Sequence, residues 1–157
     1  MKNEIKRVLV TGATGHIGYN ICMAILESKI ELIVLGRQNE SNFRKGFSLP
    51  CKYFQWKKPA ESLPPLQAMD VDAVIHLMGE PLDGRRWTEQ RKLELHSSRI
   101  NSTINMVNAI EDAVGRIKIL VTASAIGIYG DGGDNTLTER SKISDGFLAK
   151  LCQEWEQ

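Results

Sequence analysis

Three glycines spaced three apart follow the first apolar run of the chain, in the stretch VLVTGATGHIGYN at residues 8–20. Gly12 would permit a tight turn, Gly15 would let a phosphate approach the backbone, and Gly18 would let a helix pack closely on a strand. A helix that begins here also offers unpaired backbone N–H groups to a phosphate. The turn therefore predicts a dinucleotide phosphate site, with three packing glycines in an ordinary strand-to-helix turn as the alternative.

The type of nucleotide depends on the end of the second apolar run, where an acid would accept a hydrogen bond from the ribose 2′-hydroxyl of NAD. That place reads LGRQ, at 35–38. Gly36 leaves the space where a carboxylate would stand, and Arg37 supplies a planar cation that could bind a 2′-phosphate through two hydrogen bonds. The prediction is NADP(H), with NAD as the second choice. The alternative is that Arg37 only caps a solvent-exposed strand end.

Five apolar runs can supply the strands that position these residues, and they lie at 5–11, 31–35, 52–56, 71–78 and 117–122. Four are nearly continuous in Val, Ile and Leu, which is typical of strands buried on both faces of a parallel sheet. Between them lie helical patterns at 16–28, 62–69 and 88–114. This alternation predicts an α/β fold, a doubly wound parallel sheet of the NAD(P)-binding Rossmann type.

The longest helical pattern carries two sets of residues. Its apolar residues form one stripe that we expect to be buried: Leu93, Ile100, Ile104, Val107, Ile110 and Val114. Beside the stripe lies a polar row: Lys92, His96, Arg99 and Thr103. With Arg85 and Arg86 just upstream, this row could bind the diphosphate of a nucleotide sugar, or it could be an ordinary solvated face.

Composition excludes several classes of function. The chain has 157 residues, with 20 Lys and Arg against 19 Asp and Glu, so it lacks the basic excess that bulk nucleic-acid binding requires. The expectation is one dinucleotide-binding domain over residues 1–157. Cys22, Cys51 and Cys152 fit neither a disulfide framework nor a metal site, so we expect reduced thiols, no metal and a cytoplasmic location. No apolar run reaches membrane-spanning length, and no membrane partner is expected.

Five segments of the chain together resemble the epimerase-like branch of the extended short-chain dehydrogenase/reductases. They are TGATGHIG, HLMGEPLDGRRWT, RKLELHSSR with Thr103 beyond it, SAIGIYGD and FLAKLCQEWE. That branch is often labelled sugar-nucleotide epimerase or NAD-dependent epimerase/dehydratase, and the GEP and RW elements are specific to it. Its members are about twice as long as this chain. The resemblance therefore implies their N-terminal half, ending in the helix after the fifth strand and without the substrate lobe.

The resemblance implies hydride transfer between nicotinamide and a sugar carbon, aided by a Tyr with a Lys four residues later and by a Ser after the fifth strand. Ser124 matches that serine and is the catalytic candidate, with a structural hydroxyl as the alternative. The helix that should carry the pair offers Phe147 and Lys150 but no tyrosine. Tyr53 and Lys57 have the spacing, but they lie on a predicted strand, and we interpret them as a coincidence.

The candidate cofactor-binding residues are Gly12, Thr14, Gly15, His16, Ile17, Gly18, Arg37, Leu77, Met78 and Gly79. The candidate substrate-binding residues are Glu80, Arg99 and Tyr129. Glu80 could be an acid or, as we favour, a cap of the next turn, and Tyr129 could contact the nicotinamide side or pack its loop. His76, inside the fourth strand, is expected to be a hydrogen-bonded core histidine rather than a catalyst.

Two functions follow from these observations. The first is an NAD(P)-binding, epimerase/dehydratase-like oxidoreductase that acts on a small-molecule substrate, a nucleotide sugar or a related carbonyl compound. The second is a non-catalytic NADP(H)-sensing protein that kept the phosphate cradle without the chemistry, which the missing Tyr–Lys pair favours. We also expect the chain to form homo-oligomers, because the edge of the fifth strand would be unpaired.

Overall fold

The structure is a computed structural model that describes residues 5–113 and 115–157. These residues divide into two compact units, the first ending at Thr122 and the second running from Ala123 to Gln157. The first unit contains the strands β1 (Arg7–Thr11), β2 (Glu31–Gly36), β3 (Lys52–Gln55), β4 (Ala73–His76) and β5 (Ile119–Thr122). Its helices are α1 (His16–Glu27), α2 (Glu40–Gly46), α3 (Glu89–Ser97) and α4 (Ile100–Asp112).

The five strands form one parallel sheet in the order β3-β2-β1-β4-β5. The chain moves from β1 outward to β3 on one side, then crosses to β4 and β5 on the other side. The strand order therefore reverses next to β1, and a crevice opens there at the carboxyl ends of the strands. This topology confirms the predicted Rossmann-type fold, and each strand lies within one or two residues of its predicted apolar run or inside it.

The sheet is buried on both faces around β1. Val8 and Val10 pack with Cys22 and Ile25 of α1 on one face. Leu9 points to the other face, where it packs with Met106 of α4. Alternate residues of one strand thus enter two different cores, which is why the run shows no polar alternation in the sequence.

The predicted helix over 88–114 is wrong in detail, because the segment forms two helices. α3 ends at Ser97 and α4 begins at Ile100, and the Arg99 amide donates to the His96 carbonyl oxygen at 3.0 Å in a tighter turn between them. Because the two helices have separate axes, one stripe cannot run through both, and Leu93 and Ile104 are 63% and 51% exposed. The residues buried instead are Arg91, Leu95, Ser102, Met106 and Ala109. Val114, the last member of the stripe, lies outside the described residues.

Two further segments differ from their predictions. The helical pattern at 62–69 is only a 3₁₀ turn, Leu66–Met69, which starts after Pro65. Helix α2 was not predicted, because only Phe43 of its residues is buried and it shows no apolar stripe. Its start is fixed by Asn39, whose side chain accepts a hydrogen bond from the Asn42 amide at 2.9 Å.

The second unit consists of the 3₁₀ turn Ile126–Tyr129, a loop and helix α5 (Phe147–Glu156). The Ser144 amide donates to the Ile128 carbonyl oxygen at 3.0 Å, so the loop returns to the 3₁₀ turn before α5 begins. Its buried apolar residues are Ile128, Ala149, Leu151 and Cys152. No helix in residues 5–113 or 115–157 is long and apolar enough to cross a membrane.

Candidate functional site

A cleft of about 760 Å³ opens at the carboxyl ends of β1, β2 and β4 in the first unit. Three segments of backbone form most of its wall: the glycine turn after β1, the end of β2 and the segment that follows β4. The cleft brings together these predicted binding residues: Gly12, Thr14, Gly15, Arg37, Leu77, Met78, Gly79 and Glu80. The three segments are far apart in the sequence, so the parallel sheet alone makes them neighbours.

The three glycines of the turn have different surroundings. A Cβ atom at Gly12 would lie 2.8 Å from the Leu77 carbonyl oxygen, and one at Gly18 would lie 2.2 Å from the Gly12 carbonyl oxygen. These two positions need glycine for packing, and Gly12 also has a positive φ of 71°. At Gly15 a Cβ atom would meet a single described neighbour within 4 Å, the Gly12 oxygen at 3.3 Å. Gly15 therefore leaves its backbone open to the cleft.

The start of α1 lies beside Gly15. The helix begins at His16, with Gly15 in extended conformation at its N-cap and no side-chain cap. The Gly15 amide donates to the Gly12 carbonyl oxygen at 3.0 Å, which closes the turn. His16 and Ile17 are exposed residues in the first turn, and their N–H groups have no acceptor within the helix. They are the donors that the turn can offer to an anion.

The space beside Gly36 is occupied, which corrects the interpretation that it is open. A Cβ atom at position 36 would lie 2.8 Å from the Tyr53 hydroxyl oxygen. Tyr53 is held there because its hydroxyl donates to the Gln38 carbonyl oxygen at 2.6 Å and its ring stacks on Phe43 at 4.0 Å. A side chain at position 36 would therefore require the Tyr53 ring to shift. Tyr53 lies on β3, as the apolar run at 52–56 predicts.

Behind the turn, a buried hydrogen-bond network joins β1, β4 and α4. Thr11 Oγ1 accepts hydrogen bonds from the Leu77 and Met78 amides, at 3.0 and 3.3 Å, and lies 3.1 Å from His76 Nδ1. His76 Nε2 lies 3.3 Å from Ser102 Oγ, which itself donates to the Ser98 carbonyl oxygen at 2.7 Å. Ser102 can then accept from Nε2–H while Thr11 donates to Nδ1, an arrangement that suits a neutral imidazole.

Burial supports the same protonation state for His76. Its side chain is fully buried, and burial lowers its pKa from 6.5 to about 4. The network holds the backbone at Leu77 and Met78, where the cleft wall passes closest to Gly12. The prediction that His76 is a hydrogen-bonded core histidine is therefore confirmed. Thr11 was not predicted, although a hydroxyl at the end of a buried strand is a signal that could have identified it.

Glu80 lies at the centre of the charged groups in the cleft. One carboxylate oxygen pairs with Arg37, and the other lies 3.3 Å from Arg91 Nη1. Burial raises the pKa of the Glu80 carboxyl, but hydrogen bonds and charge from Arg37 and Arg91 outweigh it and the net shift is downward. The favoured interpretation of Glu80 as a cap of the next turn is wrong, because its carboxylate accepts from the guanidinium groups of Arg37 and Arg91.

Arg91 is a buried charged residue beside Glu80 that the sequence analysis missed. Only 5% of it is exposed, and it also pairs with Glu94 at 2.8 Å and donates to the Pro81 carbonyl oxygen at 2.6 Å. A buried arginine needs such partners, because an unpaired charge would be costly to bury. The single helical stripe predicted over this segment places position 91 on a polar face. The sequence analysis therefore gave no sign that Arg91 is buried.

Arg99, predicted to bind substrate, is directed at the backbone of the same segment. Its guanidinium donates to the Glu80 and Leu95 carbonyl oxygens, at 3.0 and 3.2 Å. A Cβ atom at Gly79 would lie 3.0 Å from the Arg99 guanidinium carbon, so the two residues are in close contact. Lys92 pairs with Glu89 of its own helix at 2.9 Å. The break between α3 and α4 thus divides the predicted polar row.

The second unit holds the two remaining candidates. Ser124 is exposed, and its hydroxyl donates to the Glu156 carboxylate at the end of α5. Tyr129 is half-buried in the 3₁₀ turn. Lys150 is exposed on α5, and the structure places no tyrosine on that helix.

Comparisons with known proteins match nearly the whole of this chain. The model of the NAD dependent epimerase/dehydratase family matches residues 8–155. Epimerase family proteins of Mycobacterium leprae and Bacillus subtilis (YfhF) are 31% and 32% identical to this chain, over 95% and 96% of its length. The crystal structure of human epimerase family protein SDR39U1 with NADPH has a TM-score of 0.75 and 27% identity over 96% of the chain.

This chain spans about half the length of these relatives, covering 45% of the M. leprae protein, 48% of YfhF and 47% of the human chain. The match nevertheless runs through nearly all of its own residues. It includes the glycine turn, the Glu80 segment and helix α5. This chain belongs to the NAD dependent epimerase/dehydratase family.

Proposed function

We propose that residues 1–157 are a dinucleotide-binding domain that holds NADP(H) in the cleft of the first unit. The domain would be the cofactor-binding part of an oxidoreductase of the epimerase or reductase type, acting on a nucleotide sugar or a related carbonyl compound. The single observation that carries this proposal is the pairing of an open backbone at Gly15 with a guanidinium at Arg37 in one cleft. The bound nicotinamide would supply hydride transfer.

The residues of the cleft fit such a cofactor. The pyrophosphate would lie against Gly15, where the first-turn N–H groups of His16 and Ile17 and the positive end of α1 favour an anion. Gly12 and Gly18 let the turn and the helix pack closely enough to form this site. The segment Leu77–Met78–Gly79 would form the opposite wall, beside the nicotinamide ribose.

The same cleft favours a 2′-phosphate over a 2′-hydroxyl. A side chain at position 36 would have to displace the Tyr53 ring, which disfavours the acid that would bind the NAD ribose there. Arg37 follows immediately, and 61% of its side chain is exposed and within reach of a ligand. The NADPH bound to human SDR39U1 supports the same preference. NAD remains the alternative cofactor.

The experiment compares NADPH and NADH binding to the 157-residue chain by calorimetry. Charge-assisted hydrogen bonds contribute about 1.5 to 3 kcal/mol, so NADPH should bind about ten- to a hundredfold more tightly than NADH. Arg37→Ala should remove most of that difference. Arg44→Ala, which removes an arginine paired with Glu40 outside the cleft, should leave it unchanged. Equal affinities in the wild-type chain would contradict the NADP(H) assignment.

The second candidate is a non-catalytic NADP(H)-sensing protein. One observation favours it: the tyrosine that has a lysine four residues later is Tyr53, whose hydroxyl is engaged by Gln38 on the β3 side of the cleft. Ser124 remains our candidate catalytic hydroxyl, and Tyr129 and Glu80 remain candidate substrate contacts. Oxidation of NADPH in the presence of nucleotide sugars or carbonyl compounds would favour the enzyme. Binding without turnover in a version with the full length of the relatives would favour the sensor.

Two broader expectations stay part of this proposal. Cys22, Cys51 and Cys152 are all free thiols, and two of them are buried, which suits a reducing, cytoplasmic location. In the described sheet β5 pairs with β4 on one side and has no strand on the other. Pairing of this open edge with a second copy would make the chain a homo-oligomer.

A further inference from the structure

Arg37 and Glu80 form an ion pair between the two sides of the cleft. Arg37 follows β2, and Glu80 lies in the segment that follows β4. These two strands flank β1 in the sheet, so the pair bridges the cleft across the end of β1, where the glycine turn begins. Any group that binds Arg37 in this cleft meets Glu80 as a competitor.

The two partners are not held equally. Glu80 is fixed from three directions: its carboxylate by Arg91, its amide by Ser98 Oγ at 3.0 Å, and its carbonyl oxygen by Arg99 at 3.0 Å. Its side chain is 22% exposed, whereas that of Arg37 is 61% exposed. Arg37 is therefore the partner that can move, and Glu80 is the one that stays.

We propose that Glu80 is a specificity-determining residue that competes with the 2′-phosphate of the dinucleotide for Arg37 and so weakens NADP(H) binding relative to NAD(H). The inference rests on the proposed function, because it assumes that the cleft binds a dinucleotide. A phosphate carries enough charge to draw Arg37 away from a carboxylate, whereas a 2′-hydroxyl does not. Glu80 should therefore affect ligands with a 2′-phosphate and leave those without it nearly unchanged.

The test uses adenosine 2′,5′-bisphosphate and adenosine 5′-monophosphate, which differ only in the 2′-phosphate. Their affinities for the wild-type chain and for Glu80→Gln are measured by calorimetry. Exposed ion pairs are weak, so the bisphosphate should bind Glu80→Gln about two- to fivefold more tightly than wild type. The affinity of the monophosphate should change less than about twofold.

Two further variants separate competition for Arg37 from a general loss of negative charge. Glu94→Gln neutralises the other carboxylate that pairs with Arg91, and it should change the bisphosphate affinity less than about twofold. Arg37→Ala combined with Glu80→Gln should show no gain over Arg37→Ala alone. Circular dichroism establishes that each variant is folded.

A measurement on the wild-type chain does not depend on the folding of any variant. In ¹⁵N NMR spectra of the arginine side chains, the bisphosphate should shift the Arg37 guanidinium signal and leave that of Arg91 in place. The monophosphate should shift neither. Because Glu80 is the fixed partner, a shift of Arg91 as large as that of Arg37 would overturn the inference.

The inference and the proposed function fail in different ways. Unchanged or weaker bisphosphate binding in Glu80→Gln, or an equal gain in Glu94→Gln, would overturn the inference alone. If the wild-type chain bound neither adenosine ligand, the proposed function would fail and the inference with it. A gain of similar size for both ligands would show that Glu80 restricts entry to the cleft without discriminating the 2′-phosphate, which also overturns the inference.

Discussion

The hydroxyl oxygen of Tyr53 lies 2.8 Å from the position that a Cβ atom of residue 36 would occupy, so a residue of β3 limits the space at the end of β2. In the sheet Tyr53 pairs with Val34, two residues before Gly36, and its ring extends along the strand toward Gly36. The cofactor preference inferred from Gly36 and Arg37 thus depends on a packing contact as much as on the charge of Arg37.

Gly36→Ala should lower the free energy of unfolding by about 1 to 2 kcal/mol, because the new methyl group displaces the Tyr53 ring from Phe43 and Gln38. In the Tyr53→Ala background the same substitution should cost less than about 0.5 kcal/mol, since the obstacle is gone. Urea unfolding of the wild type, the two single variants and the double variant measures this coupling. Gly46→Ala is the matched control, because a Cβ atom there would meet no described atom within 4 Å. Additive costs at positions 36 and 53 would contradict the contact.

Gly15→Val should abolish dinucleotide binding while the chain stays folded. Gly15 has φ −78° and ψ 163°, an extended conformation that valine readily adopts, and it lines the cleft. A Cβ atom there would meet one described neighbour within 4 Å, the Gly12 carbonyl oxygen at 3.3 Å. Gly18→Ala should instead unfold the first unit, because its methyl group would lie 2.2 Å from the Gly12 carbonyl oxygen. Calorimetry with NADPH and circular dichroism distinguish the two effects. Normal binding in Gly15→Val would mean that all three glycines serve packing.

His76 should make the stability of the chain depend on pH between about 6.5 and 4. In the folded chain burial lowers the pKa of His76 from 6.5 to about 4, so the unfolded state binds more protons in this window. The stability present above pH 6.5 is therefore lost as the pH falls, by about 3 kcal/mol at pH 4.

Denaturant unfolding at several pH values tests this dependence against His76→Asn. The variant should be less stable at neutral pH, because it loses the contacts to Thr11 and Ser102, and its stability should fall less between pH 6.5 and 4. His16→Asn replaces an exposed histidine of α1 and should keep the profile of the wild type. Parallel profiles for wild type and His76→Asn would refute the assignment of a buried neutral imidazole.

The 157-residue chain should self-associate through β5. Ile119, Leu120 and Val121 are 44%, 37% and 46% exposed on a strand at the edge of the described sheet, which can pair with the same edge of a second copy. Light scattering should show dimers or larger species that increase with concentration. Val121→Lys should shift the chain toward monomer, because a charged edge opposes pairing. Ile126→Lys changes an apolar residue outside the strand and should leave the degree of association unchanged. A wild-type chain that is strictly monomeric would rule out this association.

The sequence by itself determined the fold class and the place of the glycine turn. Both depend on local regularities: unbroken apolar runs for strands buried on two faces, and glycines at the start of the first helix. The same reasoning identified His76 as a core residue, because it stands inside such a run. These features were predictable because each depends on residues close together in the chain.

The tertiary structure decided which side chains meet in the cleft. Arg37 and Glu80 are 43 positions apart, and their contact exists because β2 and β4 both lie next to β1. The contact of Tyr53 with Gly36 likewise follows from the register of β3 on β2. The break between α3 and α4 interrupts the helical period, and Arg91 is buried on α3 outside the single predicted stripe. Periodicity reports which face of an element is buried, whereas strand order, register and helix axes determine what that face touches.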